Sequence, residues 1–158
     1  RMKQNAIFSE NRKYRYWLKR LWDGNKPSIN FICLNPSVAD EVGDDKMVTK
    51  CIRQADKLGF GSIEMTNLFS FVDTKRTRFY DYIDPVGEGN DSYVLKTAKR
   101  CDKILIAWGN EGVYRNRAEI VLKMLRKLDK KLYCLKLTST GQPHHPGRLG
   151  YKERLIKY

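Results

Sequence analysis

Four short apolar runs punctuate this chain: "SINFICL" at 28–34, "SIEMTNLF" at 62–69, "KILIAW" at 103–108 and "KLYCLKL" at 131–137. Each is short for a buried helix, and each leads into polar or Gly-containing loop sequence, as a buried strand does on leaving a sheet. Helical patterns lie between them. In "KMVTKCIRQADKLGF", Val48, Cys51, Ile52, Ala55 and Leu58 recur at helical spacing, with Asp44 or Asp45 placed to cap the helix and Gly59 to end it. A shorter helix through "SYVLKTAKR" takes its cap from Asn90 or Asp91. "VYRNRAEIVLKMLRKL" at 113–128 puts Ile120, Val121, Met124, Leu125 and Leu128 on one face. Upstream, "YRYWLKRLW" at 14–22 fits a strand by the alternation of Tyr14, Tyr16 and Leu18, and a helix by Trp17 and Leu21.

Strand–helix alternation predicts an α/β fold, with a mostly parallel central sheet of about four strands and helices on both faces. One domain over residues 2–158 accommodates it. Right-handed crossovers place the carboxyl ends of such strands on one edge, where ligands of open α/β sheets bind. The loops expected there are "NPSVADEVGDD", "NLFSFVDTKR", "GNEGVYRNR" and "TSTGQPHHPGRLG". The last holds both histidines of the chain, His144 and His145, between Pro143 and Pro146. Loop residues on a rigid scaffold are favoured functional positions.

The formal net charge is +13 with 31 Lys and Arg, which points to a polyanionic partner, most simply nucleic acid. No apolar run is long enough to span a bilayer. The opening residues are polar and basic, with no apolar block ahead of a cleavage site, so no secretory leader is expected and the chain is assigned to the cytoplasm. Cys33, Cys51, Cys101 and Cys134 form no C-x-x-C pair, so zinc and iron–sulfur sites are not expected and free thiols are. Adjacent histidines more often point apart than together, so no metal or other cofactor is assigned to His144 and His145.

Taken together, "YRYWLKRLW", "FICLNPSVAD", "TNLFSF", "PVGEGND", "AWGNEG" and "GQPHHPGRLG" resemble the family called domain of unknown function 1643 over nearly the whole chain. A more distant resemblance is to the uracil-DNA glycosylase superfamily. There "CLNPS" is similar to a first motif of Gly-x-Asn-Pro type, "MTNLFSFVDTKR" to a strand ending in Thr-Asn, "IAWGNEG" to a strand ending in Trp-Gly, and "HHPGRLG" to a closing His-Pro-Ser-Pro-Leu motif.

The second resemblance implies roles. Asn35 would hold or activate water near the sugar carbon. An acidic residue of the 40–45 stretch, Asp45 foremost, would assist. Asn67 would read a base edge, and Phe69 would stack on it. Pro36, Ser37 and Gly109 would complete the base pocket. His145 would donate to the base as negative charge builds on it. His144, Arg148, Lys75, Arg76 and Lys152 would hold nucleic acid, with Arg148 and Leu149 at the wedge. The implied activity is hydrolysis of an N-glycosidic bond to a damaged or modified base in single- or double-stranded DNA. The alternatives are a non-catalytic modified-base module and a hydrolase of free modified nucleotides.

Overall fold

A computed structural model describes residues 2–158. The apolar runs form one sheet with strand order β1-β2-β4-β3-β5-β6-β7. These strands are β1 (Lys3–Phe8), β2 (Arg15–Leu21), β3 (Ser28–Cys33), β4 (Ser62–Asn67), β5 (Lys103–Ile106), β6 (Leu132–Cys134) and β7 (Ile156–Lys157). The expected sheet of about four, mostly parallel strands is corrected to seven. β4-β3-β5-β6 are parallel, while β1–β2, β2–β4 and β6–β7 pair antiparallel. "YRYWLKRLW" is therefore a strand. Its neighbour β1, exposed over Lys3–Asn5 and half-buried over Ala6–Phe8, and the exposed tail strand β7 lack an apolar alternation, because an edge strand is held largely by backbone pairing.

Each parallel strand alternates its side chains between two cores. Ile29, Phe31, Cys33, Leu105 and Ala107 pack with Val48, Cys51 and Ala55 of helix α1 (Lys46–Lys57). Ile32, Leu34, Ile104 and Ile106 pack with Val94 and Ala98 of α2 (Asn90–Arg100), and with Val121, Leu122 and Leu125 of α3 (Arg117–Arg126). Helices thus cover both faces. None of them is long and apolar enough to cross a membrane. The four cysteines are buried free thiols.

Helix α1 starts where its sequence predicts. Asp45 caps it, its side chain accepting from the Val48 N–H at 2.8 Å, and Gly59 follows it at φ +95°. The other two helices depart from expectation. The N-cap of α2 is Gly89 in a left-handed conformation, and Asn90 lies inside the helix, donating its amide to the carbonyls of Asn67 and Leu68. α3 begins at Arg117, because Arg115 and Asn116 adopt positive φ and break the turn before it. Its inward face is Arg117, Ala118, Val121, Leu122 and Leu125, and Ile120 faces water.

Buried arginines fasten the loops to the sheet. Arg20 is wholly buried; its Nε donates to Asp44 at 2.7 Å and its Nη2 donates to the carbonyls of Asp40 and Gly43. Arg15 donates to the Ala39 carbonyl at 3.1 Å. With the Asp45 carboxylate also accepting from the Ala39 N–H, the 39–45 segment is held at both ends against the first residues of α1.

Candidate functional site

The carboxyl ends of β3, β4, β5 and β6 share an edge, as their parallel pairing requires. The β5–β6 side of that edge is hollow. A cleft of about 710 Å³ is lined by Leu34, Trp108, Gly109, Asn110, Glu111, Lys136, Leu137, Thr138, Ser139, His144, His145 and Arg148. Its size falls within the ordinary range of small-molecule pockets.

The loop after β6 is built as a short hairpin. The His144 N–H donates to the Lys136 carbonyl at 2.8 Å, and the Thr138 N–H donates to the Gln142 carbonyl at 2.8 Å. Leu137 bridges Pro143 in antiparallel fashion. The Gly109 N–H then donates to the Pro143 carbonyl at 2.8 Å, tying the β5 loop to the histidine loop. Gly109 sits at φ +73°, and a Cβ there would lie 3.4 Å from the His145 Cβ, so glycine suits both the backbone and the close approach. Below it, the Trp108 indole donates to Gln142 at 3.1 Å. Gly112 passes so close to that ring that a Cβ would lie 2.2 Å from Trp108 Cδ1.

Two observations define the state of His145. The Gly147 N–H donates to its Nδ1 at 3.2 Å, so the neutral ring carries its proton on Nε2. Burial, then the positive charge of Arg148 and the neighbouring His144, hold its pKa below the usual 6.5. The ring is thus a neutral donor with a fixed tautomer. Glu111, exposed in the same cleft, opposes that shift through its charge. Burial and the Glu111 carboxylate together push the Tyr80 phenol up. Asn110 Oδ1 accepts from both Thr138 and Thr140, at 2.6 and 2.7 Å, which fixes the cleft's rim. His144 turns its Nδ1 to the His145 carbonyl at 2.9 Å.

Of the residues singled out in the sequence, Gly109, His144, His145 and Arg148 line this cleft, together with Leu34. Asn35, Pro36, Ser37, Asp45, Asn67 and Phe69 are not among its lining. Asn35 is half-buried and its amide donates to the Pro36 carbonyl at 3.3 Å. Pro36 is buried and Ser37 is exposed. Asp45 is engaged as the α1 cap. Asn67 is 1% exposed, with its Nδ2 buried and unpartnered. Phe69 is a core residue packed on Phe79. Leu149 is also buried, packed in the α1-face core, and so is not an exposed wedge. Lys75 and Arg76 are exposed on the 74–77 turn, and Lys152 lines a separate depression beside the end of α1.

The cleft also recruits Asn110, Glu111, Lys136, Thr138 and Ser139, which have no periodicity to mark them. Their only sequence signal is that they flank the Trp-Gly turn and the histidine pair. Among the described residues no group of three or more His, Cys, Asp and Glu is arranged to hold a metal ion.

No curated protein and no solved structure matches the chain. The model of the family described as "Protein of unknown function (DUF1643)" matches residues 15–147, from β2 through the histidine loop that walls the cleft, and the chain belongs to that family.

Proposed function

We propose that the cleft takes a nucleobase of a nucleic acid and hydrolyses its N-glycosidic bond, in the manner of the uracil-DNA glycosylase superfamily that the motifs resemble. The carrying observation is the main-chain bond that fixes His145 as a neutral Nε2–H donor beside Glu111. Water adds to the anomeric carbon as the C–N bond breaks, and the base departs with the bonding pair. The Nε2–H meets the charge building on the base, a preorganised contribution of about 3–4 kcal/mol. Glu111 accepts the proton of the attacking water, in the role the resemblance gives to Asn35 and the 40–45 acids. Lys136 and Arg148 on the rim favour a phosphate-bearing substrate.

The test is incubation with DNA carrying deaminated, oxidised or hypermodified bases, read as free base and abasic product. His145→Ala should lower turnover by roughly 100- to 1,000-fold with binding reduced far less. Equal losses of binding and turnover, or intact DNA across the panel, would sink the proposal. One observation favours a second reading, capture without cleavage. The Asn35 amide turns back to Pro36 and Asp45 is committed to its helix, which leaves the exposed Glu111 as the carboxylate in the cleft. In that case Glu111→Gln leaves affinity intact and no abasic product forms from any DNA.

A further inference from the structure

Helix α1 carries cations at Lys46, Lys50, Arg53 and Lys57, spaced four, three and four residues apart. That spacing puts all of them on one helical face, opposite the buried Val48, Cys51 and Ala55. Among the described residues, none lies within ion-pair distance of a carboxylate. The first turn holds no acidic residue, and Lys46 opens the helix, where the dipole disfavours a cation.

The stripe is joined to the cleft. Lys50 Nζ donates to the Gly147 carbonyl at 3.1 Å, and the N–H of the same Gly147 holds His145. At the far end, Lys57 lines a depression of about 360 Å³ with Tyr151, Lys152, Glu153 and Arg154, so further cations extend the row past the helix.

We propose that this face of α1 is a track for the sugar–phosphate backbone of a polynucleotide whose base occupies the cleft. The inference rests on the cleft reading above and names its substrate as a strand rather than a free nucleotide. The eleven steps from Lys46 to Lys57 along the twelve-residue helix span about 16 Å, or about five nucleotides of a duplex strand at ~3.4 Å each.

The experiment is fluorescence anisotropy with labelled oligodeoxynucleotides of about two, six and twelve nucleotides. The twelve-mer is offered both single-stranded and as a duplex, which tells the two sources of the backbone apart, and the titrations are repeated at several salt concentrations. Affinity should climb at least about tenfold from two to six nucleotides and then level off. The triple variant Lys46→Gln, Arg53→Gln, Lys57→Gln should lose about tenfold on the six-mer, and its salt slope should fall by about two. A control with the same charge loss at exposed positions of the α3 C-terminus and its cap, Lys123→Gln, Arg126→Gln, Lys127→Gln, should stay within about twofold of wild type. Lys57→Gln alone, at the solvent end of the helix, should give about a third of the slope change and serves if the triple variant does not fold.

Equal losses in the α1 and α3 triples, an unchanged salt slope, or affinity indifferent to length would overturn the track. Stripe-dependent binding with no base released upholds the track and defeats the glycosidic reading. Base release indifferent to length and to the stripe does the reverse.

Discussion

The two halves of the sheet's carboxyl edge carry loops of similar polarity and opposite character. Beyond β4 and β3, Asn67, Phe69 and Pro36 are buried, Asp45 is spent on a helix cap, and Arg20 and Arg15 clamp the 39–45 segment from below. Beyond β5 and β6, a hairpin folds back to the β5 loop and walls a cleft whose lining includes the buried Leu34 and Trp108. Polar residues gathered at a binding edge therefore do not by themselves make a site. The closed half is held by buried bonds, the open half holds the cleft, and His145 is joined to the closed half through Gly147, whose carbonyl accepts from Lys50 of α1 and where a Cβ would lie 2.7 Å from Met47 Cε.

That division can be broken most severely from the closed side. Arg20→Ala removes a wholly buried guanidinium and strands the Asp44 carboxylate and the Asp40 and Gly43 carbonyls. Asp44 is accessible to water and rehydrates, so urea denaturation should show a loss of roughly 2–4 kcal/mol, from the lost charge-assisted hydrogen bonds and the packing of the arginine stem. A loss under about 1 kcal/mol would mean the 39–45 segment is held by something else. On the open side, Gly112→Ala drives a methyl into Trp108 and should cost about 1–3 kcal/mol, accompanied by altered indole fluorescence. Unchanged fluorescence and stability would show that the cleft floor yields.

Asn67→Leu sharpens the contrast. The Nδ2 it removes is buried without a partner, so stability should stay within about 1 kcal/mol of wild type or rise. Base release should persist, whereas its loss at intact stability would put Asn67 back among the base-reading groups. The smallest effect concerns pH. Because the pKa of His145 is lowered on folding, the unfolded chain binds more protons just below pH 6.5. Stability therefore declines as the pH falls through 6.5 toward the folded-state value, and is unaffected by this group above it. The His145→Gln variant should lose that component of the slope, measured as melting temperature against pH.

How much of this the sequence carries depends on whether the signal is local. The parallel strands and α1 are legible because continuous apolar runs and the Asp45 and Gly59 signals are written within a few residues. β1 and β7 are not, since "KQNAIF" and the tail become strands only by pairing with Arg15–Leu21 and with Tyr133 and Cys134. α3 is legible as a helix but not in its start, which is set by left-handed backbone at Arg115 and Asn116. At the site, the histidine pair stands out by rarity and by its prolines, and Gly109 by the Trp-Gly turn. Glu111 and Lys136 acquire meaning only when the hairpin folds back over β5. The sequence does not show that Phe69 is a core side chain: its N–H continues the pairing with β3 at the Leu34 carbonyl, and its fully buried ring meets Phe79.

The bond from Gly147 N–H to His145 has one more consequence. Catalytic imidazoles are commonly steered by an acid, whose grip slackens once that acid takes up a proton. A peptide amide has no such weakness, so this ring keeps its bearing for as long as its nitrogen stays unprotonated. A side chain at position 147 would come within 3.0 Å of that nitrogen, which makes the smallest residue of the loop the keeper of the imidazole's tautomer.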